Sequence, residues 1–261
     1  MTGAGVDEPA IVTVADPDEA AGLAAERIAN SLARAVAVRD RADWATAGGS
    51  APVGIYRRLT EPPLADAIRW ARVHVWWGDD RYVPRDHPLS NVLPLDDILL
   101  DPDHGVVIPG ANLHPFRTGE AIGAGWDAAW TAATLAGELR AAELPLAGGW
   151  PVLDLVLVGV GTDGHILSVF PGSAAFDVAD WALAVPAPTH IEPHVERVTL
   201  NPAILGAARD VLVVATGAAK AEVIGEIFGQ VRDARRWPAQ LARRAGATWI
   251  LDAAAAARLD R

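Results

Sequence analysis

Asp163 and His165, two positions apart in the glycine-rich segment 159–165, are the residues best suited to chemistry. A carboxylate beside an imidazole can fix the ring tautomer and raise its basicity, which predicts general acid–base catalysis; a capping or exposed histidine is the alternative. The mostly apolar run 153–158 precedes them and is typical of a strand buried on both faces of a parallel sheet. Because open α/β sheets bind ligands at the carboxyl ends of their strands, we expect Asp163 and His165 at a ligand site.

Gly48, Gly49 and Ser50 form a second candidate segment, between a predicted strand at 44–47 and a helix that Pro52 opens. Free backbone N–H groups and the helix dipole at such a turn can bind an anion, and glycine lets the backbone approach a phosphate closely. An ordinary tight turn, with Ser50 as the helix N-cap, explains the same residues equally well. Phosphate binding and a plain turn therefore stand as alternatives here.

A third polar segment, Gly78–Arg81, follows the predicted strand 72–77. Its acids and its arginine, including Asp80 and Arg81, could orient a polyol or assist proton transfer. A solvated loop with a surface ion pair is the alternative. Lys220 is the only lysine among the 22 basic residues, which marks it as a further candidate, although a compositional remnant would look the same.

Other motifs are weak indicators of a cofactor or a metal. The glycines of 159–164 match the dinucleotide pattern G-x-G-x-x-G, but Pro171 interrupts any long helix after them and no acidic residue ends the next strand. His190 and His194 have the spacing of zinc ligands on a helix, but Pro193 would break that helix. We therefore predict no cofactor and no required metal.

Composition argues against several classes of partner. The net charge of −11 at pH 7 disfavours nucleic acid and membrane surfaces, and no apolar run approaches the roughly 18 residues of a transmembrane helix. The chain has no cysteine, which agrees with a cytoplasmic location. Length and a hydrophobic content of 51% predict a single domain over 9–261 after a flexible tail over 1–8, in a monomer or a small homo-oligomer.

Strands and helices alternate along the chain, which predicts an α/β fold: a doubly wound, mostly parallel sheet with helices on both faces, a Rossmann-like three-layer sandwich. Strands are predicted at 11–14, 44–47, 72–77, 153–158, 182–185, 197–200, 211–215 and 248–251. Helices are predicted at 17–38, 52–59, 91–100, 120–143 and 218–228, with a last helix after 251.

Five groups of residues, in order along the chain, resemble the glucosamine-6-phosphate isomerase/6-phosphogluconolactonase family. They are Gly48–Pro52, Trp77–Pro84 with Ser90–Asn91, Gly159–His165 with Phe170–Ser173, Arg197–Leu200, and Gly217–Lys220. The resemblance implies an enzyme that hydrolyses 6-phospho-D-glucono-1,5-lactone to 6-phospho-D-gluconate in the oxidative pentose phosphate pathway, without cofactor or metal. Its partner would be this small sugar-phosphate lactone.

The same resemblance implies roles for individual residues. His165 is the expected general base that activates a water, and Asp163 is expected to orient it. Backbone N–H groups in 161–164 are expected to stabilise the oxyanion. The residues expected to bind the substrate or its phosphate are Gly48, Gly49, Ser50, Asp80, Arg81, Arg197 and Lys220.

The chain departs from the family pattern at three places. Ala51 stands where the family often has Ser or Thr, Asp80 where it usually has Glu, and Ile166–Leu167 where it commonly has Thr-Ala. The last pair is closer to the isomerase branch of the family. An aldose–ketose isomerase/deaminase of the glucosamine-6-phosphate type, with Asp79 or Asp80 as its acid, is therefore the alternative. A non-catalytic sugar-phosphate sensor is a third possibility.

Overall fold

Twelve strands lie in residues 8–259, which are the residues that the computed structural model describes. In chain order they are β1 (Ala10–Val14), β2 (Ala42–Thr46), β3 (Val73–Trp77), β4 (Asp79–Arg81), β5 (Leu113–His114), β6 (Leu146–Ala147), β7 (Trp150–Pro151), β8 (Leu155–Val158), β9 (Ala182–Val185), β10 (Arg197–Leu200), β11 (Asp210–Ala215) and β12 (Ala247–Asp252).

The α-helices cover both faces of the central sheet, which gives the three-layer α/β sandwich that the alternation of elements predicts. They are α1 (Pro17–Arg39), α2 (Ser50–Leu59), α3 (Leu64–Ala67), α4 (Thr118–Ala124), α5 (Ala128–Ala141), α6 (Ile204–Ala207) and α7 (Ala221–Phe228). Short 3₁₀ helices lie at Trp70–Arg72, Gly110–Asn112, Ala174–Asp177, Ala218–Lys220 and Pro238–Ala242, and a π-helical turn lies at Leu95–Leu99. Within residues 8–259, every helix is too short or too polar to cross a membrane.

The central sheet has seven strands in the order β1-β12-β11-β8-β2-β3-β5. After β2, the chain adds β3 and β5 toward one edge of the sheet. After β8, it adds β11 and β12 toward the opposite edge. All the pairings are parallel, so the carboxyl ends of the strands meet at one edge. The crevice between β2 and β8, where the strand order reverses, is where open α/β sheets bind ligands.

Burial of β2 and β8 on both faces explains their composition. Every residue of both strands is buried, and Trp44 in β2 is fully enclosed. Helix α1 supplies part of this cover with a stripe of alanine, isoleucine and leucine. It begins where the Asp16 carboxylate accepts the N–H groups of Asp18 and Glu19, and it ends at Asp40, which is left-handed with φ 55°.

A second, antiparallel sheet lies beside the first in the order β4-β10-β9. Strand β4 follows β3 after one residue, Gly78, so the chain passes from the central sheet into the small sheet within a few residues. The strands predicted at 182–185 and 197–200 exist, but they belong to this sheet. The hairpin of β6 and β7 was not predicted.

Two of the predicted helices are wrong. The helix predicted over 120–143 is two helices, because Gly125 is left-handed with φ 73° and ends α4, and the Asp127 carboxylate then caps α5. The helix predicted after β12 is absent from 253–259, which form turns. The Asp252 carboxylate accepts the N–H of Ala255 and holds this segment as a turn.

Smaller differences concern the predicted tail and the starts of three helices. The helix predicted over 91–100 is a π-helical turn at Leu95–Leu99, and the one predicted over 218–228 is 3₁₀-helical at Ala218–Lys220 before α7 begins. Helix α2 begins at Ser50, two residues before Pro52, and Gly49 is its N-cap in place of Ser50. Residues 1–7 of the predicted tail lie outside the described residues. The last tail residue, Glu8, accepts hydrogen bonds from the guanidiniums of Arg232 and Arg243.

Candidate active site

A cavity of about 270 Å³ opens where the strand order reverses. It is lined by 47–51 after β2, by 158–162 after β8 and by 214–216 at the end of β11. The predicted polar segments therefore meet at one site, because parallel strands place their carboxyl ends at one edge of the sheet.

A wider cavity of about 910 Å³ lies beside β5 and does not contain these segments. Its arginines already have carboxylate partners: the ion pairs are Arg41–Asp43, Arg85–Asp96 and Arg117–Glu138. The smaller cavity is therefore the better candidate site, since it combines reactive side chains with strand ends and a helix N-terminus.

Asp163 and His165 are in direct contact at this cavity. His165 Nδ1 lies 2.6 Å from Asp163 Oδ1, which also accepts the backbone N–H of His165 at 3.1 Å. The other carboxylate oxygen, Oδ2, lies 2.8 Å from Nε2 of His190. Because Nδ1–H donates its hydrogen bond to the carboxylate, Nε2 is the ring nitrogen of His165 that is left for a ligand.

The surroundings of Asp163 favour its charged form. Burial alone would raise the pKa of Asp163, but the hydrogen bond and charge of His165 and the hydrogen bond of His190 outweigh it and hold the pKa well below its ordinary value. The three side chains thus satisfy one another. No group of three or more His, Cys, Asp or Glu side chains within 8–259 could hold a metal ion.

The glycines of the loop after β8 serve its geometry. A Cβ on Gly161 would lie 2.0 Å from His165 Nδ1, so only glycine leaves room for the ring. Gly164 has φ +83°, a left-handed conformation that glycine adopts without strain. The N–H of Gly161 donates to the His165 carbonyl and the N–H of Gly164 to the Gly161 carbonyl. These two N–H groups, which were expected to face an oxyanion, are therefore used inside the loop.

Gly48, Gly49 and Ser50 line the cavity at the N-terminus of α2. Gly49 has φ +90° and caps the helix without a side-chain hydrogen bond. A Cβ on Gly48 would lie 1.7 Å from Oδ1 of Asn91, whose amide fills that space. The first N–H groups of α2 therefore point toward the cavity without a capping side chain, which is an arrangement suited to an anion.

Lys220 lines the same cavity from the end of the 3₁₀ helix that follows β11. Burial lowers the pKa of Lys220, and the nearby charge of Asp163 opposes that change. The ammonium is thus a local cation in a chain whose net charge is −11. Lys220 follows β11 and the Gly48–Ser50 turn follows β2, and both line the same cavity although β8 lies between these strands in the sheet.

Asp79 and Asp80 have different surroundings although they are neighbours in β4. Asp79 lines the cavity, where its carboxylate accepts the hydroxyl of Ser168 at 2.5 Å and the amide of Asn91 at 3.3 Å. Asp80 is 0% exposed, and its carboxylate accepts the N–H groups of Asn91 and Arg81. Burial raises the pKa of Asp80 to about 7, against the effect of those hydrogen bonds.

Asp80 is therefore not placed on the cavity wall, although it was predicted to bind substrate. Alternate residues of a strand point to opposite faces, so when Asp79 faces the cavity Asp80 faces away. Its carboxylate holds the segment 90–91, since it accepts the Ser90 hydroxyl at 3.3 Å and the N–H of Asn91 at 2.7 Å.

The two arginines predicted to bind substrate are also separated. Arg81 lines the cavity, and its guanidinium donates to the carbonyl of Leu89 at 2.7 Å. Arg197 is opposite Arg81 in the β4–β10 ladder, but it is 4% exposed, does not line the cavity and donates to the carbonyl of Pro193. Among residues 8–259, Arg197 Nε has no hydrogen-bond partner. A role of Arg197 in substrate binding stays a prediction.

Several cavity residues were not predicted as site residues. They are Asp79, Asn91, Thr162, Ile191 and Thr216. His190, which contacts Asp163 but does not line the cavity, was not predicted either. Thr216 could have been found, because it directly follows the apolar strand at 211–215. His190 carries no such signal, since it is 27 positions from Asp163 in an irregular segment and was considered only as a zinc ligand.

Comparison with known proteins identifies relatives over most of the chain. The family profile described as glucosamine-6-phosphate isomerases/6-phosphogluconolactonase matches residues 15–250. A 6-phosphogluconolactonase from Synechocystis sp. is 34% identical over 226 residues, which cover 86% of this chain and 88% of that protein.

Solved structures agree with this result. The 6-phosphogluconolactonase from Trypanosoma brucei is 30% identical with a TM-score of 0.83, covering 97% of this chain and 99% of its own. The one from Trypanosoma cruzi is 27% identical with a TM-score of 0.86, covering 100% of both chains. The chain belongs to the glucosamine-6-phosphate isomerase/6-phosphogluconolactonase family.

Proposed function

We propose that the protein hydrolyses 6-phospho-D-glucono-1,5-lactone to 6-phospho-D-gluconate. The observation that carries the proposal is the contact of His165 Nδ1 with Asp163, which leaves Nε2 as the basic nitrogen at a cavity with a cation and a helix N-terminus. The names of the relatives support the same substrate. A single catalytic domain over 9–261, a cytoplasmic location and independence of cofactors stay predictions from the sequence.

In the proposed reaction, His165 Nε2 takes a proton from a water as the water oxygen attacks C1 of the lactone. The carbonyl oxygen becomes an oxyanion on a tetrahedral carbon. When the carbonyl re-forms, the bond from C1 to the ring oxygen breaks and the imidazolium returns its proton to that oxygen. Water is thereby added across the ester bond, and no covalent enzyme intermediate is needed. General base catalysis of this kind contributes about 10²–10⁴-fold.

Asp163 supports both halves of this cycle. Its carboxylate keeps the His165 proton on Nδ1 before the attack and stabilises the imidazolium afterwards. Since Gly161 and Gly164 N–H groups are used within their loop, we assign oxyanion stabilisation to Arg81, which lines the cavity and has guanidinium N–H groups beyond the one bound to Leu89.

The substrate phosphate is assigned to the N-terminus of α2 and to Lys220. Backbone N–H groups at Gly49 and Ser50 and the helix dipole favour an anion, and the ammonium supplies the charge that the acidic chain otherwise lacks. Lys220 is the only lysine of the chain, so replacing it removes one defined charge.

The decisive test replaces His165 with Ala and follows acid release from freshly made lactone against the uncatalysed background. We expect kcat to fall by about 10²–10⁴-fold with an unchanged fold. His104→Ala is the matched control, because that histidine is 88% exposed in its side chain and lies outside the cavity. Near-wild-type kcat in His165→Ala would exclude the proposed base.

A second experiment tests the phosphate assignment. Lys220→Ala should raise KM by about 10-fold or more, since a hydrogen bond to a charged group contributes roughly 1.5–3 kcal/mol, and should change kcat less.

Glucosamine 6-phosphate, assayed for ammonia release, distinguishes the isomerase/deaminase alternative. Turnover of that compound and none of the lactone would favour the alternative.

A further inference from the structure

We propose that His190 is a positioning residue that fixes the Asp163 carboxylate and, through it, the catalytic imidazole of His165. The proposal rests on the proposed function, because it assigns His190 a part in lactone hydrolysis. The arrangement is a His–Asp–His bridge, in which one carboxylate links two imidazoles through its two oxygens.

The geometry of the bridge shows what His190 adds. Oδ1 of Asp163 accepts both hydrogen bonds from His165, and those two contacts alone allow the carboxylate to rotate about them. The hydrogen bond from His190 Nε2 to Oδ2, at 2.8 Å, removes this freedom. The Asp163 side chain is only 15% exposed, so little solvent is available to replace that partner.

A shared aromatic contact fixes the two imidazoles relative to each other. The ring of Phe170 lies 4.8 Å from the His165 ring, and it meets the His190 ring nearly edge-on at 5.8 Å and 88°. Ile191, the residue after His190, lines the cavity. A substrate that contacts Ile191 would therefore press on the segment that carries His190, which connects substrate binding with the orientation of the base.

The chemistry predicts an effect on turnover more than on binding. His190 does not line the cavity, and its hydrogen-bond partner at the site is Asp163. It removes a donor from the carboxylate that must stabilise the imidazolium in the transition state. The expected result is a fall in kcat with KM nearly unchanged, because the orientation of the base matters most when the proton moves.

The test compares His190→Ala and His190→Gln with His194→Ala. The Gln amide can donate near the place of Nε2, whereas Ala cannot. His194 has the same side-chain exposure as His190, 49%, and lies in the same segment, but it contacts Glu192 and not Asp163. We expect kcat to fall about 10-fold in His190→Ala, to recover most of the loss in His190→Gln and to stay near wild type in His194→Ala.

A double-mutant cycle with Asp163→Ala makes the assignment specific. If His190 acts through Asp163, then adding His190→Ala to Asp163→Ala should lower kcat no further. An equal 10-fold loss in both backgrounds, or an unchanged kcat in His190→Ala, would overturn the proposal.

A measurement without turnover separates this inference from the proposed function. In ¹⁵N NMR spectra of the imidazoles, the His190 Nε2 signal should shift on Asp163→Ala, and the His165 Nδ1 signal should shift on His190→Ala. Absence of both shifts overturns the bridge even if the lactone is hydrolysed. Both shifts in a protein that does not hydrolyse the lactone would refute the proposed function and retain the bridge.

Discussion

The two ends of strand β8 carry carboxylates with opposite surroundings. Asp154 precedes the strand and is 5% exposed in its side chain, while Asp163 follows it and is 15% exposed. Asp154 is bound by the guanidiniums of Arg39 and Arg209 and by the N–H of Asp43. Asp163 is bound by two imidazoles instead.

The difference lies in what the partners can do with a proton. Arginine stays protonated in proteins, so the partners of Asp154 can bind it but cannot exchange protons with a ligand. Imidazole can both accept and donate a proton, so a partner of Asp163 can exchange one with a ligand. Burial raises the pKa of Asp154, whereas the histidine contacts more than offset burial and lower the pKa of Asp163. The amino end of β8 therefore serves stability, and we expect the carboxyl end to serve chemistry.

The largest effect that tests this contrast should come from Asp163→Asn. The amide keeps the shape but can present N–H to His165 Nδ1, which favours the wrong tautomer and cannot balance an imidazolium. We expect kcat to fall about 10³-fold, inside the roughly 10²–10⁴-fold contribution of the base that this carboxylate supports. Steady-state kinetics measures the effect. A loss of less than about tenfold would mean that the carboxylate does not support the base.

The loop after β8 provides a second, smaller test. A Cβ on Gly161 would lie 2.0 Å from His165 Nδ1 and 2.5 Å from Asp163 Oδ1, so Gly161→Ala must displace the pair. We expect kcat to fall by about 10²-fold, since small misplacements of catalytic groups have effects of that size. Gly123→Ala is the control, because its Cβ would meet no atom within 4 Å and Gly123 does not line the cavity. Equal losses in the two variants would show that crowding of the pair is not the cause.

Replacing Asp154, at the amino end of β8, should lower the stability of the protein and leave its activity unchanged. Asp154→Ala leaves Arg39, Arg209 and the N–H of Asp43 without their acceptor. Because both arginines are partly exposed, water compensates in part, and we expect a loss of roughly 2 kcal/mol in the free energy of unfolding.

Asp210→Ala is the control for that variant. Its ion pair with Arg34 is exposed on both sides, at 38% and 68%, so the change should be below about 1 kcal/mol. The kcat of folded Asp154→Ala should stay close to wild type. A loss of kcat comparable to that of Asp163→Asn would contradict the division between the two ends of β8.

Features that are set by residues close together in the chain could be predicted from the sequence. The apolar runs before Thr216 and Gly159 predicted buried parallel strands, and the polar residues after them predicted one common site, because strand ends converge. The contact of Asp163 with His165 followed from a separation of two positions. The break of the helix predicted over 120–143 was missed because Gly125 and Asp127 are weak signals among strong helix formers.

Features that depend on contacts between residues far apart in the chain were not predicted. Asp80 was assigned to the site, but β4 pairs with β10, more than a hundred positions away, and this pairing decides which of its acids faces the cavity. The position of Arg197, opposite Arg81, depends on the same pairing. His190 reaches Asp163 through an irregular segment whose path no local periodicity indicates. The catalytic roles themselves stay predictions until the variants are measured.

The smallest expected effect concerns Asp80. It tests whether the protonation of a carboxylate depends on its hydrogen-bond partners or on its position at the carboxyl edge of the central sheet. It follows β3 at the carboxyl edge, as Asp163 follows β8, but no imidazole binds it and burial raises its pKa to about 7. Between its ordinary pKa of 3.8 and about 7, the folded protein retains a proton that the unfolded chain has lost. The Asp80 carboxyl group should therefore contribute less to the free energy of unfolding as pH rises through this window, by at most about 1.4 kcal/mol per pH unit. In urea unfolding from pH 5 to pH 8, wild type should lose stability relative to Asp80→Asn as pH rises, and a difference in the free energy of unfolding that is independent of pH would contradict the raised pKa.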